Sequence, residues 1–319
     1  MAKQPHIIQN DWIVLVNPRA GTGKGERDWD KIHEYLLQSE IKFEVVFTTH
    51  REHAMALTTK FIKKGFRKFI VAGGDGTLNE VVNGIFIQKN VPTDEILVAM
   101  IPVGTGNDWC RMFNIPFDYK KAVEVIVDGN TFIQDIGKVN YYKSKTQKKR
   151  YFINVAGMGY DAVVAAKTNK DKERGKGGML TYLKNLVSSL LFYKFSEVKM
   201  TTDGDKEKCD CKVFSISVGI CKYNGGGMMQ LPNAIADDGL FDITLIKKIG
   251  RLTVIKQIKN LYDGSFINHP KVDSLRATTL QIASNPLIDL EADGESLGHS
   301  PFQFEIIPRG LKVVVGVQL

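Results

Sequence analysis

Short β-branched runs alternate with longer amphipathic stretches over the first third of the chain, a pattern that predicts strand, helix, strand units of a parallel sheet. Trp12 to Val16, Phe43 to Phe47, Lys68 to Val71 and Leu97 to Ile101 read as the strands, each closed by a turn rich in Gly, Pro, Asn or Thr. Glu26 to Gln38, His53 to Lys64 and Leu78 to Gln88 repeat apolar side chains at helical spacing and are long enough for right-handed crossovers. From about Thr131 the texture changes to closely spaced strands: Gln134 to Tyr142, Tyr151 to Val155, Val198 to Thr201, Lys212 to Ile220, Phe241 to Ile246 and Leu275 to Ala283. Ile288 to Glu291 and Gln303 to Ile307 follow, and a Pro308-Arg309-Gly310 turn leads into Gly310 to Val317. Two helical inserts are expected, Leu180 to Phe195 and roughly Leu252 to Tyr262, and no internal repeat is present. The expected architecture is an α/β N-terminal domain with a parallel sheet over 1–130. A β-rich C-terminal domain, an antiparallel sandwich or barrel, follows over 131–319, with the last strand free to return to the first domain.

A length of 319 residues fits two domains with separate cores, and 43% hydrophobic with 24% charged residues is an ordinary globular composition. The stretch Met1 to Asn10 is polar and lacks the apolar core of a secretory signal, which leads to an expected cytoplasmic protein. The longest apolar stretch, Met179 to Phe195, is interrupted by Thr181, Lys184, Asn185, Ser188 and Ser189, so no membrane-spanning helix is expected. Cys110, Cys209, Cys211 and Cys221 show neither zinc-site spacing nor disulfide-scaffold density, and reduced thiols are the expectation. The net charge of +8 creates a field that attracts nucleotides, anionic lipid or nucleic acid alike. With no nucleic-acid motif present, nucleic acid is not an expected partner. The clusters Lys143 to Arg150 and Lys167 to Lys176 read as solvated loops, some facing anionic lipid.

Three turns carry the chemistry, each after a strand and before a helix. Asn17-Pro18-Arg19-Ala20-Gly21-Thr22-Gly23-Lys24-Gly25 offers glycines through which backbone can approach an oxyanion, and helix N-terminal amides behind them. It is not a Walker A loop, because Pro18 stands where the first glycine belongs and Gly25 replaces the Ser or Thr. Gly73-Gly74-Asp75-Gly76-Thr77-Leu78-Asn79-Glu80 places the carboxylate of Asp75 beside the phosphate site, which implies a divalent cation to offset like charges. Ile101-Pro102-Val103-Gly104-Thr105-Gly106-Asn107-Asp108 repeats the arrangement after the fourth strand. In an open parallel sheet, turns at the carboxyl ends of strands converge on one crevice.

At these residues the chain resembles the diacylglycerol kinase catalytic domain family: NP-x-x-G at Asn17 to Gly21, GGDGT-x-NE at Gly73 to Glu80 and P-x-GT-x-ND at Pro102 to Asp108. The similarity continues in Asp237-Asp238-Gly239-Leu240-Phe241-Asp242 and Asp293-Gly294-Glu295, and spans nearly the whole chain. The resemblance implies an ATP-dependent lipid kinase whose nucleotide site comprises Asn17, Pro18, Arg19, Ala20, Gly21, Thr48, Gly74, Asp75, Gly76, Thr77, Leu78, Asn79, Glu80 and Thr105. It also implies a reaction in the cleft between the domains. There Asp75 and Mg²⁺ manage phosphate charge, and a carboxylate of the DGE segment takes the proton of the lipid hydroxyl. Glu295 is the expected base and Asp293 the alternative, since an alternating strand would send both side chains to one face. The plain reading of Asp293-Gly294 is a hairpin turn. Bacterial members also imply a structural Mg²⁺ held by the Asp238 carboxylate and the backbone oxygens of Ile235 and Leu240.

Diacylglycerol leads as the acceptor, ahead of phosphatidylglycerol, a sphingoid base or a ceramide. An NAD kinase, which shares the GGDGT loop, and a non-catalytic lipid- or nucleotide-binding protein are the rivals. The expected partner is a membrane lipid, met in peripheral contact with an anionic inner membrane surface. Met179 to Phe195, flanked by Lys172, Arg174, Lys176 and Lys194, is a docking segment or a core helix, and a homodimer stays open.

Overall fold

The structure, a computed structural model, describes residues 9–175, 178–204 and 206–317. The chain divides into two compact units: the residues through Gln134 together with those from Arg309 onward, and Asp135–Pro308. Of the basic clusters, Lys176 lies outside the described residues, as does most of the polar start.

In the first unit β1 (Gln9–Val16) leads through α1 (Ala20–Arg27) and α2 (Trp29–Gln38) to β2 (Phe43–Phe47). Then come α3 (His53–Lys63), β3 (Phe66–Gly73), α4 (Asp75–Ile87), β4 (Leu97–Pro102), α5 (Asp108–Met112) and α6 (Tyr119–Asp128). The strands pair in parallel in the order β2, β1, β3, β4, and Lys312 and Val313, near the end of the chain, pair in parallel with Leu97 and Val98 of β4. Ile13, Val14 and Leu15 are all fully buried, as a sheet covered by helices on both faces demands. One side of that core gathers Val14, Val16, Ile70 and Ala72 against Ile32 and Leu36 of α2 and Val123 and Ile126 of α6.

The second unit begins within β5 (Thr131–Lys143), followed by β6 (Thr146–Phe152), β7 (Val155–Gly159), α7 (Tyr160–Glu173), α8 (Met179–Leu190), β8 (Ser196–Thr202) and β9 (Lys206–Gly219). After the short pair β10 (Tyr223–Asn224) and β11 (Met228–Met229) come β12 (Phe241–Lys247), α9 (Arg251–Gln257) and α10 (Asn260–Asp263). β13 (Val272–Ala277), β14 (Thr279–Asn285), β15 (Asp289–Ala292) and β16 (Glu295–Val314) finish the chain. Antiparallel pairing runs β9, β7, β15, β16, β14, β8 and back to β9, which closes a barrel. β12 and β13 extend the sheet beyond β9. The α/β first unit and the antiparallel barrel are the fold class the sequence pattern predicts.

Several local expectations are corrected. Tyr160–Glu173 is a helix, so the cluster from Lys167 begins on a helix rather than in a loop. Lys143–Arg150 is the tip and second arm of the β5–β6 hairpin. Pro308-Arg309-Gly310 does not reverse the chain: Arg309 takes a positive φ of 50°, and the strand continues to Val314 into the first unit's sheet. Cys209 and Cys211 form a disulfide, contrary to the reduced-thiol expectation. Positions i and i+2 of a strand project to one face, and their Cα atoms lie 5.7 Å apart. Cys110 and Cys221 are buried and take no part in the disulfide.

Candidate active site

The three glycine turns of the first unit meet backbone to backbone. Val103 and Gly104 both donate their amides to the Gly73 carbonyl, at 2.8 and 3.0 Å. A Cβ on Gly104 would lie 2.6 Å from Cα of Gly74, and one on Gly21 would lie 2.2 Å from the Val103 carbonyl oxygen. No side chain fits at either point, which is the physical reason for glycine there. Gly21, Thr22 and Gly23 all adopt left-handed φ, 57°, 58° and 89°, and break α1 open at its start, a backbone arrangement that turns successive amides toward an anion.

Around this junction the predicted residues divide. The Asn17 side-chain amide donates to Thr77 Oγ1 at 2.8 Å, and its Oδ1 accepts the Arg19 amide at 3.0 Å, so Asn17 ties the first turn to the second. Gly74 caps α4, and Asp75, Gly76 and Thr77 are its first turn, so their amides stand at a helix N-terminus that suits phosphate. Ala20 is buried at the start of α1, behind Pro18 and Arg19. Thr48 ends β2 with its amide on the Val16 carbonyl, and Thr105 is exposed at the tip of the third turn. Leu78 and Asn79 are fully buried. Glu80 accepts the amides of Glu52 and Ala54 at 2.8 and 3.0 Å, which makes it a brace for the start of α3. Within the predicted nucleotide set, Leu78, Asn79 and Glu80 therefore serve the scaffold with their side chains.

Asp75 has a partner that the predicted site omitted. Its carboxylate accepts the amides of Asp108 and Trp109, each at 3.2 Å. A Cβ built on Gly106 would be 3.4 Å from Oδ2 of Asp75 and equally 3.4 Å from Oδ2 of Asp108. Two carboxylates thus converge beside one glycine at the phosphate turns. Hard oxygen donors in that position fit the Mg²⁺ that accompanies a triphosphate. Beneath them the buried thiol of Cys110 is pushed well up, first by burial and then by the charges of Asp75 and Asp108.

In the second unit the DGE segment is not an alternating strand. Ala292 pairs with Glu295, and Asp293 and Gly294 form the two-residue turn between β15 and β16 with φ of 49° and 81°. The turn is the Asp-Gly hairpin that composition alone allowed, and it carries Glu295 as the first residue of β16. Asp293 points back into the unit, where its carboxylate accepts the amides of Ile153, Asn154 and Val155 at 2.9, 3.0 and 3.2 Å. That corrects the shared-face reading, and it gives Asp293 the task of holding the turn. Asn169 adds a 2.9 Å bond from its side-chain amide to the Gly294 carbonyl.

Sequence reasoning missed two carboxyl groups behind this turn. Glu291, 2% exposed, accepts the Gly294 amide at 2.8 Å and the Asn224 side-chain amide at 2.9 Å. Burial lifts its pKa to about 8, with the charges of Asp161 and Asp293 adding to the rise. Asp161, at the start of α7, is lifted by burial to about 6 against the pull of hydrogen bonds from Ser215 and Ser217. Ser217 donates to Asp161 at 3.1 Å and also bonds Gln230, which bonds Asn224 in turn. A chain of polar contacts therefore joins Asp161 to the turn before Glu295. Asp161 and Gln230 also line an apolar cavity of about 60 Å³, walled by Tyr160 and Val164 of α7, Phe214 of β9, Met228 of β11, Leu186 of α8 and Val254 of α9. The signal available in the sequence was an acid at the end of the alternating run Ile288-Asp289-Leu290-Glu291, which reads equally as a solvated strand end.

At the site predicted for a structural cation, Asp238 with the backbone oxygens of Ile235 and Leu240, the structure shows an arginine. The Asp238 carboxylate bonds the Arg276 guanidinium and, at 3.1 Å, the Leu240 amide, so Arg276 already supplies the positive charge there.

A parallel-sheet unit with phosphate-type turns and a barrel unit presenting an acidic hairpin define a kinase of the two-unit type. Residues 11–139 match the diacylglycerol kinase catalytic domain, and residues 154–315 match the YegS C-terminal NAD kinase beta sandwich-like domain. A diacylglycerol kinase of Staphylococcus haemolyticus is 30% identical over 301 residues, covering 94% of this chain and 86% of its own. The crystal structure of a diacylglycerol kinase from Bacillus anthracis superposes with a TM-score of 0.71 at 25% identity, covering 96% of this chain and 97% of the other. A yeast NADH kinase complexed with NADH shares the fold alone, at a TM-score of 0.52 and 11% identity over 96% of this chain and 84% of its own. The chain belongs to the diacylglycerol kinase catalytic domain family and is a lipid kinase.

Proposed function

We propose that this protein transfers the γ-phosphoryl group of ATP to the hydroxyl of a membrane lipid, diacylglycerol in the first place, to give phosphatidic acid. The observation that carries a lipid acceptor over a soluble one is the mostly apolar surface of the cavity in the second unit, which Asp161, Ser217, Gln230, Thr244, Gln257 and His269 interrupt. At about 60 Å³ it takes a segment of an acyl chain rather than a whole tail, which leaves the rest of the lipid in its bilayer.

In this reading the amides around Gly21, Gly74 and Gly76 hold the triphosphate, and Asn17 keeps the first two turns in register. Asp75 and Asp108 would hold a Mg²⁺ ion, which would supply the neutralisation of phosphate charge that the transfer needs. The lipid oxygen attacks the γ-phosphorus in line, the bond to ADP breaks, and the hydroxyl proton passes to Glu295. The three backbone amides on the Asp293 carboxylate favour Glu295 over Asp293 for that part. Incubation of the purified protein with radiolabelled ATP and, separately, diacylglycerol, phosphatidylglycerol, sphingosine, ceramide and NAD, with mass detection of products, tests the proposal. Phosphatidic acid is the expected product; phosphate transfer to NAD alone, or to nothing, would overturn it.

A further inference from the structure

Helices α8 and α9 carry apolar side chains on both faces. Leu186 and Leu190 of α8 and Val254 of α9 are buried against Tyr160, Val164, Phe214 and Met228. Beside these contacts the two helices, with Leu191 and Phe192 just past the end of α8, leave large side chains in water: Leu180 is 84% exposed, Phe192 85% and Leu252 76%, with Val187, Leu191 and Ile255 also exposed. Isolated exposed leucines are ordinary, but these cluster. Val187, Leu190 and Leu191 face Leu252 and Ile255 across one groove, with Lys184 and Arg251 in its lining.

The charge that the two segments themselves carry is of one sign, although Asp171 of α7 accepts the Asn185 side-chain amide of α8 at 2.7 Å. From Met179 to Phe195 and from Lys247 to Tyr262 there is no Asp or Glu, whereas Lys184, Lys194, Lys247, Lys248, Arg251, Lys256 and Lys259 are present. Lys247 is paired with Asp273 at 2.7 Å, and Lys248 lies over the ring of Phe195 at 5.9 Å. An apolar groove whose lining holds Lys184 and Arg251 and no acid is complementary to an anionic lipid leaflet, where acyl chains meet the leucines and phosphates meet the cations. The same cations argue against a second copy of this chain as the occupant, because two such faces would repel.

We infer that α8 and α9 form the membrane-docking surface of this protein, with Leu180, Leu191, Phe192 and Leu252 entering the headgroup boundary of an anionic leaflet while Lys184 and Arg251 contact lipid phosphates. The inference deepens the lipid-kinase reading and rests on it in one respect. Because the buried faces of the docked helices wall the apolar cavity, an acceptor would pass from the leaflet between α8 and α9 without crossing water.

Co-sedimentation of the full chain with vesicles tests the docking by itself. Wild type should pellet with vesicles of phosphatidylcholine and phosphatidylglycerol in equal parts and stay in solution with phosphatidylcholine alone. Lys184→Glu with Arg251→Glu, and separately Phe192→Ser with Leu252→Ser, should each lower partition about tenfold or more, given the roughly additive attraction per cation at an anionic surface. A control with the same charge change elsewhere, Lys31→Glu with Lys60→Glu, should partition far better than the groove variants. Equal binding by wild type and both groove variants overturns the inference, as does a wild-type dimer that the Phe192 and Leu252 pair dissociates. Both groove variants should phosphorylate a water-soluble short-chain diacylglycerol at the wild-type rate and lose activity only on vesicles. If the wild type binds vesicles but phosphorylates no lipid, docking stands and the proposed function fails; if it phosphorylates lipid while the variants bind unchanged, docking fails alone.

Discussion

Three backbone amides on one carboxylate make Asp293 a fastener, while the proposed function assigns the hydroxyl proton to the neighbouring Glu295. The two roles separate on substitution. Asp293→Ala strands the amides of Ile153, Asn154 and Val155 and should cost about 3 kcal/mol in urea unfolding, given the penalty for unmet buried donors. Glu295→Gln should leave the unfolding midpoint in place while phosphorylation falls by about 10² to 10⁴, the usual share of a general base. A Glu295→Gln enzyme that turns over normally removes it from the mechanism. Glu291 makes a different prediction, because its carboxyl titrates from 4.5 in the unfolded chain and from about 8 in the folded one. Between those values the folded state holds more protons, so this contribution is fully present below pH 4.5 and is lost as pH rises toward 8. Asp161 acts in the same direction over 3.8 to about 6. Melting temperature followed across that range should decline less steeply in Glu291→Gln than in wild type. Identical slopes would mean that Glu291 is ionised in the native protein.

Turns, more than helices or strands, decide whether the nucleotide can be held. Gly104→Ala would drive a methyl group to 2.6 Å from Cα of Gly74 and force the second and third turns apart, an overpacking of about 1 to 3 kcal/mol. Its clearest mark should be loss of the thermal shift that ATP gives the wild type, since ligand stabilisation scales with retained affinity. At Gly23, by contrast, an added Cβ meets nothing within 4 Å, and Gly23→Ala should carry only the strain of its left-handed φ of 89°. An ATP shift in Gly104→Ala as large as in wild type would refute the contact argument. These turns were legible in the sequence because glycine and proline punctuate strand ends, and the strand Phe43–Phe47 could be read to the residue from its β-branched run. Helix α7 was not, for Tyr160, Ala162, Val164 and Thr168 are buried while lysines crowd its later turns, so no single polar face announces it. The Asp293 cradle was equally hidden, because its three partners are backbone amides nearly 140 positions away, which no side-chain pattern encodes. Asp161 and Glu291 meet only when β7, β15 and β9 close side by side in the barrel.

The first unit takes its last strand from the far end of the chain, and that fixes how much of the sequence it needs. Leu311, Val313 and Val314 are within 1% of complete burial in a core otherwise built from residues before Gln134. The returning segment is also pinned outside the sheet: Thr93 Oγ1 donates to the Gly310 carbonyl at 2.7 Å, and the Gly316 amide donates to the Phe113 carbonyl at 2.9 Å. Removing three buried aliphatic side chains at about 2 kcal/mol or more each costs about 6 kcal/mol, before β4 is left with a bare edge. Domain stabilities of about 5 to 15 kcal/mol leave little to spare. A fragment ending at Gln134 should therefore show no cooperative thermal transition by circular dichroism. The same fragment extended through a flexible Gly-Ser linker into residues 309–317 should regain one, because the linker restores the parallel partner of Leu97 and Val98 at modest entropic cost. Cooperative melting of the shorter fragment at the temperature of the extended one would show that the strand is an ornament of the sheet rather than part of its core.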